Sequence, residues 1–67
     1  MAKRSTRNKL RHQVGKAIRD CERIQNHLKM LDDLAAGEHE VVERTLPIAV
    51  ESVETLSAFL IAFRSEL

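Results

Sequence analysis

Apolar residues recur along this chain at alternating steps of four and three. In the first half they fall at Leu10, Val14, Ala17, Cys21, Ile24, Leu28, Leu31 and Ala35. In the second half they fall at Val42, Leu46, Ala49, Val53, Leu56, Leu60, Phe63 and Leu67. Each run covers about four heptads, the period of a helix packed along a continuous seam. Valine and isoleucine do not alternate with polar residues, so the pattern predicts no strand. The expected fold class is all-α.

The two runs are separated by "LAAGEHE". Gly37 is the natural residue just past a helix end, since glycine takes a positive φ without a Cβ penalty. A short turn there forces an antiparallel hairpin. The two runs agree with that arrangement. Position 10 pairs with 67, 14 with 63, 17 with 60, 21 with 56, 24 with 53, 28 with 49, 31 with 46 and 35 with 42, and each pair of numbers adds to 77. The pattern therefore predicts a first helix over about 8–35, a turn over about 36–38 and a second helix over about 39–66. Pro47 falls inside the second helix, where it removes a backbone donor and crowds the Glu43 carbonyl, so a kink is expected there.

The seam leaves several apolar residues unused: Ile18, Leu34, Val41, Ile48, Val50, Phe59 and Ile61. Positions flanking the seam of a two-stranded coil are usually charged. An apolar face this wide fits a helix inside a bundle. The expected architecture is a homodimer of two hairpins forming a four-helix bundle, with those seven residues at the dimer interface. It resembles the arrangement of the Rop family of small hairpin dimers, which bind RNA.

Length adds weight to the dimer. A chain of 67 residues is one domain with a marginal core, and its single cysteine permits no internal disulfide. A lone free cysteine fits a reducing compartment, and the longest apolar run, Ala58–Phe63, is far short of the roughly 20 residues that span a bilayer. The charged start with no apolar stretch behind it does not read as a secretion signal. A soluble cytoplasmic protein with no membrane partner is expected.

Charge divides the chain unevenly. Residues 1–19 carry Lys3, Arg4, Arg7, Lys9, Arg11, Lys16 and Arg19 with no acid, a charge of +7. The remainder carries the other four basic residues and all ten acids, a charge of −6. The first nine residues lack an apolar period and are expected to form a basic, flexible arm. Those seven cations are the candidate contacts to nucleic acid, through phosphates and without base stacking, since no aromatic residue lies among them.

Other chemistry is weakly supported. His39 and Glu43 have the i, i+4 spacing of helical metal ligands, but the apolar seam leaves no room for inward-facing partners, so no metal or other cofactor is expected. "HEVVERTLP" resembles the His-Glu…Arg-Thr-Pro box of sensor histidine kinases. It departs from that box in placing Leu46 between Thr45 and Pro47, and in placing His39 just after the turn. Cys21 sits on the seam as a small hydrophobe. There is no glycine-rich phosphate loop and no nucleophile with a base at motif spacing, so no enzyme is expected. The expected function is a non-enzymatic, homodimeric interaction, scaffolding or regulatory module. A nucleic-acid-associated protein using the basic N-terminal segment is the alternative.

Overall fold

The computed structural model describes the backbone over residues 2–67 and the side chains over residues 6–67. Two helices, α1 (Ala2–Ala35) and α2 (Glu40–Glu66), pack against each other as an antiparallel hairpin. The all-helical hairpin read from the period is thus present. The molecule is a rod of 57 × 16 × 12 Å.

Helix α1 begins well before the apolar period does. The residues expected as an arm continue the helix from Ala2. Alanine, lysine and arginine are strong helix formers, and no glycine or proline occurs before Gly15. With 34 residues against 27 in α2, α1 overhangs the end of its partner. The side chains of Lys3 and Arg4 lie outside the described ones.

The turn uses two left-handed residues. Ala36 has φ 51° and Gly37 φ 72°. The Ala36 amide still donates to the Asp32 carbonyl at 3.1 Å, and the Glu38 amide donates to the Ala35 carbonyl at 2.9 Å, so the last carbonyls of α1 are capped by the reversing chain. His39 is extended and precedes α2 without a side-chain cap. The Glu43 amide donates to its carbonyl at 2.9 Å, and Glu40 and Glu43 place negative charge in the first turn, where the helix dipole favours it. Helix α2 then runs unbroken through Pro47. That residue is exposed, so water can reach the Glu43 carbonyl that lacks its usual donor.

The helices do not meet squarely along the seam. Among the described residues Cys21, 3% exposed, is the one buried hydrophobic side chain, and Val14, Leu28, Leu46, Val53 and Leu60 are half-buried. Yet Leu10, Ile24 and Leu31 on α1, and Leu56 and Phe63 on α2, remain exposed although they belong to the seam. Meanwhile Gly15 is buried, and Ile18, Gln25, Val50 and Ser57 are half-buried although they lie beside it. Both helices are therefore turned about their axes toward the flank that holds Gly15, Ile18, Val50 and Ser57. A Cβ built on Gly15 would stand 3.8 Å from the Arg64 guanidinium, an ordinary contact, so the Arg64 side chain covers this position. One broad face of the hairpin is closed by this rotation, and the opposite one is left open.

Candidate interaction surfaces

The open face is built mainly by α2. Val41, Thr45, Ile48, Ser52, Thr55 and Phe59 follow one another at steps of four and three, and all are exposed. They carry no charge, and at about 100° per residue they lie side by side on one strip of the helix. The Ser52 hydroxyl donates back to the Ile48 carbonyl at 2.8 Å, so its proton is satisfied within the helix. Beside this strip stand the uncovered seam residues. Phe63 lies with its ring centroid 6.1 Å from that of Phe59, the planes tilted by 37°. Leu31 reaches across from α1 and shares a groove with Val41, Val42 and Thr45, while Ile48, Thr55, Leu56 and Phe59 line a second groove with Glu51 at its edge.

The seven residues expected at a dimer interface are divided by this geometry. Val41, Ile48 and Phe59 are exposed on the open side, whereas Leu34, 81% exposed, stands about five turns from Lys16 on the outer side of α1. Ile18 and Val50 are already half-covered within the single hairpin, on its closed side. Ile61 is exposed, but it lies about 200° around α2 from Phe59, on the strip of Pro47 and Glu54. Met30, absent from the expected set, is exposed near the turn at a position four residues before Leu34. Gly15 and Ser57 lie on the covered side with Ile18 and Val50.

The basic residues lie along α1. Lys9, Arg11, Lys16 and Arg19 are exposed, and the Arg7 guanidinium donates from Nε to the Leu67 carbonyl, tying the overhang to the end of α2. Among the described residues no group of three or more His, Cys, Asp or Glu side chains is placed to hold a metal ion. His12, His27 and His39 are all exposed. The single cysteine is buried and free.

By length and composition α2 could also cross a membrane. Glu51 and Glu54 stand near its middle, and a charged side chain at that depth costs about 2.5–3.5 kcal/mol or more. Comparison with protein-family models, with curated proteins and with solved structures finds no match for this chain.

Proposed function

We propose that this chain is a non-enzymatic helical interaction module, acting in the cytoplasm as a two-fold homodimer whose hairpins close their open faces on each other in a four-helix bundle. The observation that carries the reading is the uncharged strip Val41–Thr45–Ile48–Ser52–Thr55–Phe59 beside exposed Leu31, Leu56 and Phe63. Surface area supports it. A compact chain of 7.6 kDa would expose about 4,300 Å², whereas this hairpin exposes 5700 Å². The excess of about 1,400 Å², part of it from the α1 overhang, is larger than the roughly 800 Å² per partner of a standard interface.

A second copy fits this face better than lipid does. The strip runs the length of α2, and an identical hairpin offers a surface of the same length and chemistry. Glu51 and Glu54 would stay in water at the rim of a bundle, but a spanning helix would bring both carboxylates into hydrocarbon. Scaffolding or regulation is then carried out by the remaining charged surfaces of the bundle.

Sedimentation equilibrium over a range of concentrations tests the reading. A mass of two chains that persists to low micromolar concentration is expected. A folded single chain at high micromolar concentration would overturn it. So would partition of the chain into uncharged lipid vesicles in preference to self-association.

A further inference from the structure

The outer side of α1 carries a second periodic stripe, and it is basic. Lys9, His12, Lys16, Arg19 and Arg23 follow one another at steps of three, four, three and four, and all five are exposed. Because α1 is one unbroken helix, this spacing aligns them along about 21 Å of its length. Asn8, Asp20, Asn26 and His27 border the same strip, so between residues 8 and 27 it holds no apolar side chain and one acid, at its edge; Met30 and Leu34 continue it toward the turn. That matters in a chain with ten acids, because a solvated helix face ordinarily mixes the two signs at i, i+4 spacing.

The stripe has a cost within the hairpin alone. Like charges three and four residues apart destabilise a helix by about 0.2–0.5 kcal/mol per pair. The first turn of α1 has no acid and its last turn no base, while basic residues cluster toward its start and Asp32 and Asp33 lie near its end, the reverse of what the helix dipole favours. A local arrangement that opposes folding in this way is expected where function requires it. Asp20 is the one acid at the rim of the stripe. It stands 3.7 Å from the Arg23 guanidinium, both side chains well exposed, so the pair contributes little in water.

We propose that this face of α1 binds the phosphodiester backbone of a double-stranded nucleic acid. A rigid row of cations fits a rigid row of phosphates. The absence of any aromatic residue on α1 argues against stacking on single-stranded bases. From Lys9 to Arg23 the strip also lacks the apolar side chains with which an interfacial helix enters a lipid surface. Recognition is electrostatic and independent of sequence, with Lys9, Lys16, Arg19 and Arg23 each neutralising a phosphate. The stripe is complete in one chain, so the inference does not rest on the dimer.

The test is fluorescence anisotropy of the full chain with labelled duplex RNA and duplex DNA of mixed sequence. With four phosphates neutralised per chain, affinity should fall about 100-fold between about 50 mM and 200 mM salt. The double variant Lys16→Glu, Arg19→Glu should lose about 100-fold in affinity at the lower salt, at unchanged helix content. Lys29→Glu with Arg44→Glu makes the same change in net charge away from the stripe and should cost less than about threefold, while Asp20→Asn should tighten binding. Binding to either duplex with this pattern supports the proposal. No binding at the lower salt, equal losses in the two double variants, or binding to anionic vesicles but to neither duplex would overturn it.

Discussion

Phe59 and Ile61 offer the sharpest test of the open face, because composition cannot distinguish them. They are two residues apart, both apolar and both exposed, at 63% and 55%. The rotation of the helices places Phe59 on the open face and Ile61 about 200° away from it. A phenylalanine has about 150–250 Å² to bury, so roughly 100–150 Å² of Phe59 awaits a cover, worth about 3 kcal/mol at 25 cal/mol per Å². Two-fold symmetry counts that contact twice. Truncation to alanine keeps the Cβ, so Phe59→Ala should cost about 5 kcal/mol per dimer, or about 1,000- to 10,000-fold in the dissociation constant. Ile61→Ala should change it by less than about 0.5 kcal/mol. Sedimentation equilibrium gives the constants, and circular dichroism at concentrations where each variant is dimeric checks that the assembled form is helical. Equal weakening by the two substitutions would refute the rotation on which the open face depends.

Gly15→Ala should stabilise the hairpin by about 0.5–1 kcal/mol, because the added Cβ would meet only the Arg64 side chain at 3.8 Å while helix propensity improves; a lower melting temperature would show that the closed face is packed more tightly than this. Gly37→Ala should cost about 1 kcal/mol, since its φ of 72° lies in the left-handed region and its Cβ would come 3.4 Å from a Glu43 carboxylate oxygen; an unchanged denaturant midpoint would mean that the turn reforms without it. The Cys21 thiol, 3% exposed, should resist modification by a thiol reagent in native buffer and react at the rate of unfolding in urea; immediate reaction would place it outside the helix contact.

The helices and their turn were legible in the sequence because each depends on a local rule. The four-and-three spacing gives two helices, Gly37 gives the reversal, and the constant pair sum gives the antiparallel register. The full extent of α1 was not legible, because an apolar period reports only where a helix is covered. The segment before Leu10 has no cover and is helical through the propensity of alanine, lysine and arginine. The rotation was hidden for a different reason. A seam of alternating fours and threes has two columns, and the spacing treats both alike. Which flank then closes depends on side-chain volume. Gly15, Ile18, Val50 and Ser57 are covered on one side, with Arg64 lying over Gly15, whereas Phe59, Leu56 and Leu31 are bulky and stand clear on the other side. Among the described residues no side chain is fully buried. A core that open gives little to offset the entropy of ordering 67 residues. On the dimer reading, folding and assembly are one equilibrium, and the melting temperature should rise with protein concentration. A melting temperature independent of concentration would leave the hairpin to stand on the intrinsic stability of its two helices, and would break the link between the open face and the fold.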